Sequence, residues 1–433
     1  MRHWVTVGLL AMLLPCSALA QAPDSGSPQG TASAPAADQA ESSGSSGQAG
    51  YTFVADSTGG QAFTVVGGQN FIGGNGNLTV WNTVRAASVG GGINSIAAGD
   101  GNDLFGVVPG STYAVAAGNG NDTFFGNGSS TMAGGIGSNL FFADPAGGSN
   151  LILSYGQDTV VANQGAVTVA TYGTVPLIYG GSGSLEVFGN SATSETVAGG
   201  SGSASIFGAK SGVYFLGDST SLFVGDPFSA STIVGSTGSE TVFGGDSANE
   251  LVFDNSSSLT FVAGTGNSAT IIGGSSASTL FGSAGSAITY FATSSTAGAL
   301  YAAGSRNETL NAAAGSPASK SIFGGADPTA GNSLVGGAGD DTFTAGTGSD
   351  TMVGGTGGND FVFSFGQAGG NDFIVGFNLS DMVRFLGYGT AAVATALAAA
   401  TVAGGNATIA LSDNTKITFE DISTPKLIHF LAT

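Results

Sequence analysis

The sequence predicts an all-β fold: a parallel β-roll, or β-solenoid, of Gly-rich nonapeptide-like repeats closed by a small C-terminal cap of one short helix and a β-hairpin. Three observations point there. First, Gly336-Gly337-Ala338-Gly339-Asp340-Asp341-Thr342-Phe343-Thr344 fits the pattern Gly-Gly-x-Gly-x-Asp-x-apolar-x at every defined position, and Ala345 to Val353 repeats it with only the first Gly changed. Second, a small or apolar pair followed by Gly recurs along the chain, as in Val187-Phe188-Gly189, Ile206-Phe207-Gly208 and Val242-Phe243-Gly244. Third, the chain holds 76 glycines and only 8% charged residues, yet keeps 42% hydrophobic residues, which a disordered polar tract does not do.

Read in order, the chain opens like an export signal over 1–20. Arg2 and His3 form a basic start, Val5 to Leu14 an apolar run, and Ala18-Leu19-Ala20 a small-x-small cleavage site. The lone cysteine, Cys16, lies in this segment; Leu14-Pro15 is a poor lead-in for lipoprotein cleavage before it. Residues 21–50, rich in Ala, Ser, Gly, Gln and Pro and without an aromatic residue, read as a disordered linker. Residues 51–370 read as the solenoid. Its best-spaced run sets Phe243, Phe253, Val262, Ile272, Phe281 and Tyr290 at steps of 9 or 10, expected as an inward-facing series in coils of about 18 residues. Residues 371–433 read as the cap. Thr390 to Val402 is Ala-rich and expected as a helix ending at Gly404-Gly405, and Ala407 to Leu411 with Lys416 to Phe419 as a hairpin turning at Asp413-Asn414.

Each part of the nonapeptide has a physical role. Its glycines allow turns with φ > 0 and close approach to an ion. Its Asp offers a hard carboxylate oxygen that suits Ca²⁺. Its x-apolar-x triplet is a short strand with the middle side chain facing in. The Asp is kept in two zones. Near 336–372 it is Asp341, Asp350, Asp360 and Asp372; near 98–126 it is Asp103 and Asp122. Asp341 and Asp360, like Asp103 and Asp122, are 19 apart and expected to stack on one edge, with Asp350 on the opposite edge. No Lys or Arg lies between Lys320 and Arg384, so the C-terminal carboxylates are expected to lack an internal cation and to need a divalent one. Asn139 continues the N-terminal series without the charge. From about 140 to 330 the Asp is mostly missing, and those turns are expected to close through Ser, Thr and Asn hydrogen bonds.

These units resemble the repeats-in-toxin family of secreted bacterial proteins, with their hemolysin-type calcium-binding repeats. The likeness is strong over 336–376, good over 98–126 and weak between. The resemblance implies a parallel β-roll with Ca²⁺ between stacked turns. Carried onto this chain, the carboxylate ligands are Asp103, Asp122, Asp341, Asp350, Asp360 and Asp372, assisted by carbonyls near Gly101, Gly120, Gly337, Gly339, Gly346 and Gly348. The N-terminal export signal departs from the C-terminal signal of many family members.

The function read from the sequence is a secreted, non-enzymatic calcium-binding solenoid with a structural, surface or adhesive role. It is placed outside a bacterial cell or on its surface, with the periplasm as the alternative. Cell-surface or matrix polysaccharide is the partner class considered. A polysaccharide-acting β-helix enzyme, lyase or epimerase-like, is the alternative. It lacks support in the single histidine after residue 20, His429, and the scattered Arg85, Lys210, Arg306 and Lys320. With 28 acidic against 8 basic residues, the chain has no basic patch for nucleic acid. No segment after residue 20 has the roughly 18 uninterrupted apolar residues of a membrane helix.

Overall fold

In the computed structural model the described residues are 52–54, 61–65, 70–82, 94–107, 112–143, 148–255, 257–293, 298–314, 317–425 and 428–433. The export signal and the linker expected over 1–20 and 21–50 lie outside them.

Short strands alternate between two sheets, and each solenoid strand pairs in parallel with the strand one coil later. In the most regular part a coil is 19 residues. Val242 lies opposite Phe261 and Phe261 opposite Leu280 in the first sheet; Ile233 lies opposite Val252 and Val252 opposite Ile271 in the second. Elsewhere a coil shortens to 17 residues, from Val115 to Met132, or lengthens to 25, from Phe71 to Ile96. The Gly-rich corners set this geometry. At Gly120 an added Cβ would run into the carbonyl oxygen of Gly101 in the coil before, so the turns stack closer than a side chain allows.

Strands in this stack alternate inward and outward side chains, as the period of two requires. The core is one continuous column of inward residues. Phe105, Phe124 and Phe141 stack through it with ring centroids 5.1 and 4.5 Å apart. Phe124→Ala removes the middle ring and is expected to cost about 3–5 kcal/mol. Because solenoid coils contact only their neighbours, urea melts followed by hydrogen exchange should place the loss in the N-terminal coils.

The inward series expected from the sequence is corrected by one residue. Tyr290 is inside, but Phe243, Phe253 and Phe281 stand 42, 41 and 38% exposed, and Val262 and Ile272 are half-buried. In each apolar pair that ends a strand only one member can face the core. Val242, Val252, Phe261, Ile271 and Leu280 take that place and are fully buried.

The coils also run past the expected boundary at 370/371. Strands Asn371–Val375 and Met382–Leu386 still pair in parallel with the coil before them. The helix is shorter than expected, Thr390–Ala398. Thr401–Ala403 is instead a strand, antiparallel to Asn406–Ala410. Gly404 and Gly405, at φ 60° and 88°, make the tight turn between them rather than a helix stop. The expected hairpin is present, Asn406–Ala410 against Lys416–Phe419. Lys416–Phe419 closes the second sheet against Asn371–Val375, and Phe430–Ala432 closes the first against Met382–Leu386. At the C-terminal end the second sheet thus turns into an antiparallel hairpin, which interrupts the stack of parallel coils and blunts an edge that could recruit another chain. Among the described residues no helix is long and apolar enough to cross a membrane.

Candidate ion-binding turns

Asp103, Asp122, Asp341 and Asp350 each sit at the last turn position, immediately before a strand, and Asp372 at the second position of the strand Asn371–Val375. Asp103, Asp122, Asp341, Asp350 and Asp372 are all 1–2% exposed. In the N-terminal zone they form a ladder. Asp103 Oδ1 accepts the backbone N–H of Leu78 at 2.8 Å, Asp122 Oδ1 that of Asp103 at 2.8 Å, Asn139 Oδ1 that of Asp122 at 2.9 Å, and Asp158 Oδ1 that of Asn139 at 2.9 Å. A second ladder runs along the solvent side. Asn77 and Asn102 accept the N–H of Asn102 and Asn121, each at 2.9 Å. One oxygen of each buried rung is therefore committed to the backbone of the preceding coil, and each solvent-side Asn oxygen to the coil that follows.

The C-terminal zone carries one ladder on each edge. On the edge shared with the N-terminal zone, Asn332 Oδ1 accepts from Glu308 N, Asp350 Oδ1 from Asn332 N, and Asp372 Oδ1 from Asp350 N at 2.9 Å. On the other edge, Asp341 Oδ1 accepts from Lys320 N at 2.9 Å, Asn359 Oδ1 from Asp341 N at 3.1 Å, and Asp381 Oδ1 from Asn359 N at 2.7 Å. Asp350 thus lies on the edge opposite Asp341, as the spacing predicts. Asp360 does not stack on Asp341. The extra residue in Gly354–Asp360 moves it onto the strand Asp360–Ser364, where it faces outward and meets Arg384 at 2.9 Å with both side chains partly exposed. Asn359 fills the rung instead. Asp381, which the sequence reading passed over, is the next rung; its position just before the strand Met382–Leu386 was the available signal.

The expectation of no internal cation is also corrected. Lys320 is 2% exposed. Its ammonium donates to the carbonyl oxygens of Ala318 at 2.9 Å and Ala338 at 2.6 Å and lies 3.5 Å from Asp341 Oδ1. Gly337 and Gly339, at φ 91° and 107°, flank Ala338; no such φ occurs at Gly101, Gly120, Gly346 or Gly348. Units that read alike in sequence therefore adopt two turn conformations. Among the glycine carbonyls named from the sequence, those of Gly337 and Gly346 accept N–H groups of the next coil, from Thr356 at 2.8 Å and Gly369 at 2.9 Å. Those of Gly101, Gly120, Gly339 and Gly348 pack against glycines one coil on.

The second carboxylate oxygen decides what these turns can do. Asp103, Asp122, Asp341 and Asp372 each hold an Oδ2 that is buried and has no hydrogen-bond partner. Burial raises these carboxyls, to about 6 for Asp103 and Asp341, about 7 for Asp122 and about 8 for Asp372. A buried acceptor of this kind is satisfied by a proton or by a hard cation. The donor chemistry, carboxylate plus backbone carbonyl oxygens, fits Ca²⁺. Among the described residues no three acidic, His or Cys side chains converge, so most ligands would be carbonyls. The central coils hold buried acids of their own. Glu195 and Glu240 are raised to about 7 by burial, and Glu250 and Glu308 upward as well. Both oxygens of Glu308 are held, by Ser286, Tyr301 and Gly304, whereas Glu195 Oε1 and Glu240 Oε2 are buried without a partner, like the Asp oxygens of the end zones.

The fold and these turns define a two-sheet parallel β-solenoid whose coils are locked by buried side-chain-to-backbone ladders. No protein-family model matches the chain, and no curated protein is significantly similar to it.

Proposed function

We propose that the chain is a secreted, non-enzymatic structural or adhesive solenoid whose two Asp-bearing zones are set by extracellular Ca²⁺. The observation that supports this is the set of orphaned, buried Oδ2 atoms on Asp103, Asp122 and Asp372. In each, one oxygen holds the neighbouring coil and the other is left for a cation. Asp103, Asp122 and Asp372 would hold the ion with nearby carbonyls, and Ca²⁺ would supply charge neutralisation there; Asp350, whose Oδ2 already accepts the N–H of Gly346 at 3.2 Å, is left out of the ligand set. Asp341 already has Lys320, and Asp360 has Arg384. A chain that binds at about 10⁻⁴–10⁻³ M, as extracellular modules do, stays loose in a calcium-poor cytoplasm and sets after export.

Asp122→Asn tests the reading. Asn keeps the Oδ1 acceptor for Asp103 N, as Asn139 does one coil on, but gives up the charge. The variant is expected to fold, to match or exceed the parent's melting temperature at pH 8 without calcium, and to lose at least half of the calcium-induced rise. An unchanged rise in Asp122→Asn, with the same result for Asp372→Asn, sinks the assignment.

A further inference from the structure

The displaced apolar series leaves a surface with its own order. In the second sheet the last outward residue of successive strands reads Tyr179, Ala198, Phe215, Val234, Phe253, Ile272, and then Phe291, each in register with the next. Large and small alternate coil by coil. The four rings stand 44, 46, 41 and 40% exposed, from Tyr179 to Phe291. With strands about 4.8 Å apart, the rings recur every ~9.6 Å with a smaller side chain between. Beside this row runs a second outward one, including Thr196, Val213, Thr232, Leu251, Thr270 and Thr289. Across eight strands, Leu177–Tyr179 to Thr309–Asn311, no outward side chain of a strand is charged; Glu195 and Glu250 point inward.

We propose that this face packs against the same face of a second copy of the chain. Three arguments select that occupant. A bump every second coil needs a partner with hollows at the same interval, and another stack of β-coils supplies it: shifted by one coil, each Phe of one copy lies over a Val, Ile or Ala of the other. Such a pairing is self-complementary, as a two-fold interface requires. The face spans seven coil steps, ~34 Å, by ~17 Å of strand, a projected area of ~580 Å² that its corrugation enlarges toward the ~800 Å² per partner of a stable interface. Finally, the chain has a net charge of −20, so two copies can approach only where carboxylates are absent, and this face lacks them. The first sheet repeats the alternation from Phe207 to Phe323 but starts with two adjacent rings, Phe188 and Phe207, beside Glu186.

Sedimentation equilibrium of the protein at tens of micromolar, in about 0.05 and 0.5 M NaCl, tests the proposal. A dimer is expected, tighter at high salt because screening relieves repulsion between two acidic copies while apolar contact persists. Phe215→Ser/Phe253→Ser/Phe291→Ser, at sites 40–46% exposed, is expected to weaken association at least ~tenfold while keeping the folded circular dichroism spectrum, with a melt that no longer depends on protein concentration. A monomer at every concentration and salt overturns the proposal, and so does association that the folded triple variant leaves intact. The readout is independent of calcium, so its failure is distinct from failure of the ion reading.

Discussion

Stripped of calcium, the protein is expected to be more stable at pH 5 than at pH 8. The cause is the set of buried acids whose folded pKa lies above its ordinary value: Asp103 and Asp341 at about 6, Asp122, Glu195 and Glu240 at about 7, Asp372 at about 8. In the unfolded chain these groups titrate near 4. Between roughly pH 4 and 8 the folded state therefore binds more protons than the unfolded one, and stability falls as pH rises. The contribution is complete below the unfolded pKa and is lost as each folded pKa is crossed. A tenfold difference in proton affinity between the two states corresponds to about 1.4 kcal/mol, so several such groups should lower the melting temperature by at least ~5 °C between pH 5 and 8. Asp327 and Asp413 are shifted downward by their hydrogen bonds and act at lower pH than this window. Calcium at about 10 mM, above the affinity range of extracellular modules, should restore the share of the loss due to Asp103, Asp122 and Asp372 at pH 8 and do little at pH 5, where protons hold the same oxygens. Melts that rise with pH would overturn the placement of these acids.

The second large effect is expected at Lys320. Asp341→Ala removes the carboxylate beside a buried ammonium and the acceptor for Lys320 N. Breaking a buried pair from one side typically costs about 3–5 kcal/mol, because the remaining charge has no water to return to. Lys320→Met errs in the other direction, leaving the Asp341 carboxylate without its cation; its penalty should be large at pH 8 and small at pH 5, where Asp341 takes a proton. The double variant Lys320→Met/Asp341→Asn carries neither charge and keeps the Oδ1 acceptor, as Asn359 does on the next rung. It is expected to recover much of the loss of Asp341→Ala but to stay about 1–3 kcal/mol below the parent, because Met offers no donor to the carbonyl oxygens of Ala318 and Ala338. Urea denaturation of the three variants checks this order. A double variant as damaged as Asp341→Ala would show that the pair matters for something other than charge compensation.

Much of this was legible in the sequence, and the misses have physical reasons. The nonapeptide fixed the strand and turn positions around Phe343, Asp341, Asp122 and Asp103, because Gly and Asp at those offsets leave few other conformations. Spacing alone failed at Asp360, where one inserted Gly moved the rung to Asn359; the pattern marks a residue type, whereas the ladder needs only an acceptor oxygen, which Asn also carries. It failed at Lys320 because a lysine at an Asp rung looks like a solvated charge, and only the stacked turns show its ammonium on the carbonyls of Ala318 and Ala338. The series led by Phe243 and Phe253 was set one residue out because both members of an apolar pair look like core. The strict period of two allows one, and Val242 and Val252 already filled it.

The most direct test of the ion reading is calorimetric titration of Ca²⁺ into the metal-free protein near pH 7.5, with melting followed in parallel. Saturable binding in the ~10⁻⁴–10⁻³ M range, released protons and a higher melting temperature are the predicted result. No heat and an unchanged melt up to about ten times that range would contradict it, leaving the buried Asp ladder as a device that fastens coil to coil with protons alone.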